Sequence, residues 1–380
     1  FQVGIVFGNG EQLAESGSNR ATYKTLYSVI KDCNMVIGNM DDTESDLART
    51  LLGTAWSIRS ICYYNLMQRY CEPYQPETAK ETLGLPLVDD FDMEAKPARA
   101  NLKETAEFIE EGFRKALSYN VSNEDFIFTS SVTKAYFARF FFWTQNWSNA
   151  ITYAKEVLEK YPMLEADEYV EAINQKQAKA HNVIIRSFTM DDDIGTMSYA
   201  TAQADIKSRP VDRNLVDLFA ATDNDVRRRC NYDSKRIVNK IITTKFRSEE
   251  LCLIIAEAHA HLNQETDALG YLNQLRSKRI TQDYIAYTID NLPEVFQQNI
   301  KTDATGIPLT KLMSAILCER RKELFVEGDR WFELKRNGRP EFWVKNGKLF
   351  PNEVELSEQL HISRNTLRQA INKLVFEGLL

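Results

Sequence analysis

Two stretches of this chain, 118 residues apart, read as the same helical hairpin. Ala138, Ala150 and Tyr153 recur as Ala256, Ala268 and Tyr271, and the turn residue Asn146 falls opposite Gln264. Each copy is a helix, a short polar turn, and a second helix with a small residue in its first turn. A small residue there lets two antiparallel helices approach closely, and a unit too thin to cover its own apolar face must stack on a neighbour. The repeat therefore restricts the chain to an array of helix pairs of the tetratricopeptide type. Composition agrees. The 380 residues include only 15 Gly and 10 Pro, below the ~7% and ~5% of average proteins, while 20 Phe, 16 Tyr and 5 Trp supply the bulk of a large core.

Apolar residues at three-and-four spacing predict helices over about 19–40, 45–70, 102–119, 132–144, 148–161, 247–263, 265–279 and 309–325. A third hairpin pairs the helix of Ala55–Tyr70 with that of Leu102–Tyr119 across a long excursion that holds Pro73, Pro76, Pro86 and Pro97. Within it, Leu85–Val88 reads as extended. Residues 163–246 are mixed: Val183–Phe188 is strand-like, and Asp191–Ile206 reads as a polar loop. Gly328 interrupts the last helical pattern, after which Trp331, Phe332 and Leu334 form a second short apolar face.

The formal charge of −7 disfavours a nucleic-acid footprint over the whole chain, although a local basic helix remains compatible with it. Six scattered cysteines without a CxxC pair, and only four histidines, leave no zinc-ligand spacing. These thiols are expected in the core. The densest apolar run, Ala135–Trp143, is broken by Arg139 and is far shorter than the ~20 residues of a membrane span. No paired-carboxylate motif, nucleophile elbow, phosphate loop or metal cluster stands out, and no cofactor is expected.

The most specific stretch runs from Cys318 to Gly338. Glu319, Glu323, Glu327 and Glu333 interleave with Arg320, Arg321, Arg330, Lys335 and Arg336 at spacings suited to ion pairs along helix faces, a lattice expected to pin helices together rather than hold a ligand. The stretch Glu319-Arg-Arg-Lys-Glu-Leu-Phe-Val-Glu-Gly-Asp-Arg-Trp-Phe-Glu-Leu-Lys-Arg336 resembles the closing signature of the SusD/RagB family, with Glu333 where that family has Asp. Leu26-Tyr27 through Cys33-Asn34, Ala55…Arg59…Tyr63-Tyr64-Asn65-Leu66, Gly84-Leu85-Pro86-Leu87-Val88 and Leu272-Asn273-x-x-Arg276 are similar to earlier parts of its pattern. The resemblance covers about residues 15–339, in order.

That resemblance implies a mainly α, SusD-like fold of tetratricopeptide-like hairpins with long loop excursions. It implies a non-catalytic lipoprotein on the outer face of an outer membrane, tethered by a lipid anchor outside this chain. Such a protein captures oligosaccharide or another nutrient and works with a SusC-type TonB-dependent β-barrel transporter. Aromatic rings and amides in loops off the scaffold suit glycan capture. By residue type the candidates are Asn9, Asn19 and Tyr23 near the start, and Tyr199, Gln203 and Arg209 in the middle loop.

The segment 346–380 reads differently. A helix over Asn352–Leu360, a turn at His361–Ser363 and a helix over Arg364–Glu377 with Ser363 as N-cap make a helix-turn-helix. This resembles part of the DNA-binding head of GntR-type regulators, in which Arg364, Asn365, Thr366 and Arg368 would meet DNA. The expected organisation is a nutrient-binding body over 1–340 and a partial helix-turn-helix over 346–380. The two resemblances imply incompatible cellular addresses, so a fused reading frame near 340–346 is the economical expectation. A DNA-binding regulator is the alternative function, with nucleic acid not the expected partner.

Overall fold

A computed structural model describes residues 17–41, 45–90, 97–174, 180–186, 203–204, 206–208, 210–219, 224–241, 245–296, 300–338, 344–345 and 348–349. In chain order the helices are α1 (Gly17–Asn39), α2 (Asp46–Tyr70), α3 (Leu102–Ser118), α4 (Ser130–Trp143), α5 (Trp147–Lys160), α6 (Ala166–Ile173), α7 (Arg213–Val216), α8 (Val226–Asn231), α9 (Ser248–His261), α10 (Glu265–Ser277), α11 (Lys311–Glu323) and α12 (Asp329–Arg336). Three two-stranded antiparallel ladders join β1 (Leu83–Pro86) to β2 (Arg99–Asn101), β3 (Val183–Arg186) to β4 (Lys245–Arg247), and β5 (Val344–Lys345) to β6 (Lys348–Leu349). The mainly helical expectation holds, with helix ends within two residues of those predicted for most of the hairpins. The helices α6 and α8 fall in the stretch read only as mixed.

The 118-residue repeat is a repeat of geometry. Both α4 and α9 begin and end at equivalent positions. Each turn has a left-handed residue at the same place, Gln145 with φ 61° and Asn263 with φ 56°. Asn146 N–H donates to Phe141 O at 2.8 Å, and Gln264 N–H to His259 O at 2.9 Å. The paired small residues, Ala138, Ala150, Ala256 and Ala268, are fully buried where the helices meet. Hairpin α4–α5 stacks on α9–α10 through α5 and α9, and α11 covers the far side of α9 and α10.

The third hairpin also forms across the proline-rich excursion. In α2 and α3, Gly112 sits so close that a Cβ would lie 2.3 Å from Ser60 Oγ, and Gly53 so close that one would lie 2.6 Å from Val121 Cγ2. The excursion is held at its end by Asn101, whose side chain caps α3 in a capping box with Glu104. Its Gln75, together with Gln145 of the repeat turn, donates to Ala304 O at 2.9 and 3.0 Å. The main core runs continuously from Ile30 through Tyr63, Phe113, Phe137 and Phe141 to Ile254 and Ala258. All six cysteines are free, five of them buried and Cys318 half-buried, as expected of core thiols.

The interleaved charges of the closing segment are structural, but they do not act mainly along their own helices. Glu319, Glu323 and Glu327 are directed at cations from distant elements. Arg227 of α8 meets Glu319 at 2.6 Å and Glu323 at 3.4 Å. Arg247 meets Glu323 and Glu327, each at 2.9 Å. Arg279 reaches Glu323 at 3.1 Å and Glu249 at 2.8 Å, while Lys240 reaches Glu327 at 2.6 Å. Only Lys322–Glu319 and Arg330–Glu333 follow the i,i+3 pattern among the described pairs of this segment. Burial raises the Glu319 carboxyl, but Arg227, Lys322 and Arg276 overcome that and hold it at about 2. The segment thus closes the fold as a buried ionic keystone. Gly328, at φ 85°, makes the turn from α11 into α12, and Val326 just before it is also left-handed at φ 62°.

Candidate functional site

The cavity that best combines aromatic and polar chemistry opens where α12 folds back over α2 and α4. Its volume is about 290 Å³. Helical spacing puts its side chains there: Asn65, Gln68 and Arg69 lie on one face of α2, and Tyr136, Arg139 and Trp143 on one face of α4. The turn at Gly328 then brings Asp329, Trp331, Phe332, Glu333 and Arg336 across the opening.

Its floor is a chain of alternating charges. Arg139 Nε donates to Glu250 Oε1 at 2.8 Å, and its Nη2 to Glu250 Oε2. Arg320 Nη2 reaches the same carboxylate at 3.5 Å and binds Asp329 through two bonds of 2.9 and 2.5 Å. The bidentate geometry suits guanidinium and carboxylate planes. The Arg139 guanidinium also lies 3.2 Å from the centre of the Phe246 ring. The lining as a whole holds the guanidiniums of Arg69, Arg139, Arg320 and Arg336 and the carboxylates of Glu250, Glu327, Asp329 and Glu333.

The walls are aromatic. Trp143 and Phe332 meet edge-to-face at 6.3 Å, and Arg69 stands 5.5 Å over the Phe332 ring. Trp331 is 39% exposed at the rim. The sequence places Trp331 on one apolar face with Phe332 and Leu334. In the structure Phe332 and Leu334 are half-buried while Trp331 is exposed: at about 100° of rotation per residue, positions 331, 332 and 334 spread around the helix and do not share one face. Lys335, on the same helix, donates to Gln68 O and Cys71 O, each at 2.6 Å, and so fastens α12 to the end of α2. The arrangement offers stacking surfaces and hydrogen-bonding groups.

The residues selected by type lie elsewhere. Tyr23 is half-buried in the core, its ring 4.8 Å from Tyr27 and 5.1 Å from Tyr70, where it ties α1 to α2. Gln203 sits half-buried in a short helical turn and does not line the cavity. Asn19 lies on α1, its side chain outside the described residues; Asn9, Tyr199 and Arg209 lie outside them altogether. So do Arg364, Asn365, Thr366 and Arg368 and the predicted helix-turn-helix. The cavity residues were missed because charged positions in the closing segment read as purely structural. The signal was the tryptophan amid them, set beside a second aromatic.

Comparison with known proteins bears on the whole scaffold. A family model described as the SusD family matches residues 227–372, reaching past Gly338 into the segment read as regulator-like. A second, described as starch-binding associating with outer membrane, matches residues 8–142. The SusD-like protein P38 of Formosa agariphila is 34% identical over 94 residues, 25% of this chain and 16% of that protein, so the chain spans only a small part of that relative. A SusD-like carbohydrate binding protein from Bacteroides vulgatus superposes with a TM-score of 0.66 at 22% identity, over 85% of this chain and 71% of its own. A SusD superfamily protein from Bacteroides thetaiotaomicron gives 0.67 at 18%, over 83% and 74%. NanU of B. fragilis gives 0.59 at 17%, over 83% and 78%. The chain therefore carries the SusD-superfamily fold, and SusD family models match it toward both ends.

Proposed function

We propose that this protein is a non-catalytic, SusD-type nutrient-binding protein of the outer membrane. It captures oligosaccharide at the outer surface and passes it to a SusC-type TonB-dependent barrel. The observation that carries this reading is the array of helix pairs, matched by SusD-type models over 8–142 and 227–372. The aromatic-walled cavity closed by α12 supplies a place for a sugar. Stacking on Trp331 or Phe332 would hold the C–H face of a pyranose, and the charged floor would bond its hydroxyls. On the cavity floor Arg139, Glu250, Arg320 and Asp329 are paired with one another, which suits holding a ligand better than transferring a proton to it. The described helices include none long and apolar enough to cross a membrane.

Residues 346–380 are proposed to be a separate piece with no DNA-binding role in this chain. Native electrophoresis through gels cast with single polysaccharides, run beside a DNA shift assay, tests both statements. Retardation by a polysaccharide with no shift of DNA is expected. A specific, salt-sensitive DNA shift without retardation by any polysaccharide would overturn the reading.

A further inference from the structure

We infer that the cavity between α2, α4 and α12 selects uncharged sugars over acidic ones. This rests on the glycan-binding reading above and adds the ligand's charge class to it. The floor is the evidence. Arg139, Glu250, Arg320 and Asp329 alternate in sign, and each guanidinium lies against a carboxylate at 3.5 Å or less. A uronate or sialate carboxylate entering here would gain Arg139 or Arg320 only by displacing Glu250 or Asp329, or by lying beside them. Both routes cost free energy in a site where charge is poorly screened. An amino sugar meets the same obstacle with the signs reversed.

A neutral hydroxyl meets neither. It donates to a spare carboxylate lone pair and accepts from a spare guanidinium N–H, so it fits an alternating floor wherever it lands. Side-chain exposure shows that the floor is within reach, at 22% for Arg139 and 16% for Asp329. On the open side, Trp331 offers an exposed ring for the apolar face of a sugar, with Phe332 beside it. Stacking and neutral hydrogen bonding together predict binding that is indifferent to salt.

The test is titration calorimetry on the whole chain with neutral gluco-, manno- and xylo-oligosaccharides and with oligogalacturonate, at low and high NaCl. At least one neutral oligosaccharide is expected to bind with an affinity unchanged within twofold by salt, at least tenfold more tightly than oligogalacturonate. Trp331→Ala should weaken that binding at least tenfold while the melting temperature stays within a few degrees, because the ring is exposed. Tighter, salt-sensitive binding of oligogalacturonate would overturn the inference and leave the glycan reading standing. Neutral binding untouched by Trp331→Ala, in a protein that melts normally, would overturn the inference by moving the site elsewhere. Failure of every oligosaccharide of either kind to bind would overturn the glycan reading itself.

Discussion

Replacing Glu323 by Gln keeps the shape of the side chain and removes the charge at the centre of the keystone. Glu323 is fully buried and pairs with Arg227, Arg247 and Arg279, from three separate parts of the chain. These three are buried as well. Burial raises this carboxyl, and the guanidiniums of Arg279, Arg247 and Arg227 more than reverse the effect, so it is ionised in the fold. Breaking a buried ion pair by neutralising one partner costs about 3–5 kcal/mol. Each guanidinium here keeps a second carboxylate: Asp225 or Glu319 for Arg227, Glu327 or Glu249 for Arg247, and Glu249 for Arg279. The expected loss is therefore at the low end, about 3 kcal/mol. Urea unfolding followed by far-ultraviolet circular dichroism measures it as a fall in the midpoint at constant m. Glu294→Gln is the comparison, since its pair with Lys311 is exposed and should be worth less than about 1 kcal/mol. If Glu323→Gln unfolds at the wild-type midpoint, the buried charges do not hold the helix pairs together and the keystone argument fails.

Other outcomes follow from the same geometry. Glu319 and Glu257 are held at about 2, against an unfolded value near 4.5, by guanidiniums that outweigh the effect of burial. Their contribution to stability should be fully present above about pH 4.5 and lost as pH falls toward 2, seen as a midpoint that drops across that window. Gly84→Ala would drive a Cβ to 2.1 Å from Thr105 Oγ1 and 2.4 Å from Asn101 O, so a loss of about 1–3 kcal/mol is expected in thermal unfolding. Asn263→Gly, at φ 56° in the repeat turn, should cost nothing and raise stability by a few tenths, up to about 0.5 kcal/mol, with no change in secondary structure.

Most of the scaffold is legible in the sequence, for a physical reason. Paired small residues and the left-handed turn of each hairpin are local requirements, so Ala138 and Ala256 or Ala150 and Ala268 declare the packing before any tertiary contact is known. The long α2–α3 pairing is legible too, because both helices carry continuous apolar faces on either side of the excursion. The keystone was only half visible. Its acids stand at spacings that also suit ion pairs within one helix, and nothing local to Glu323 reveals that Arg227, Arg247 and Arg279 converge on it. The cavity was hidden for the same reason: it is assembled by α2, α4, α9, α11 and α12, and depends on the backbone turn at Gly328. Selection by residue type instead favoured Tyr23, whose aromatic ring serves the core.

The most direct measurement is a crystal structure of the chain with the oligosaccharide that binds it most tightly. The account predicts a sugar ring stacked on Trp331 or Phe332, with hydroxyls bonded to Arg139 or Asp329. A bound sugar elsewhere on the surface, with that cavity filled by water alone, would contradict it.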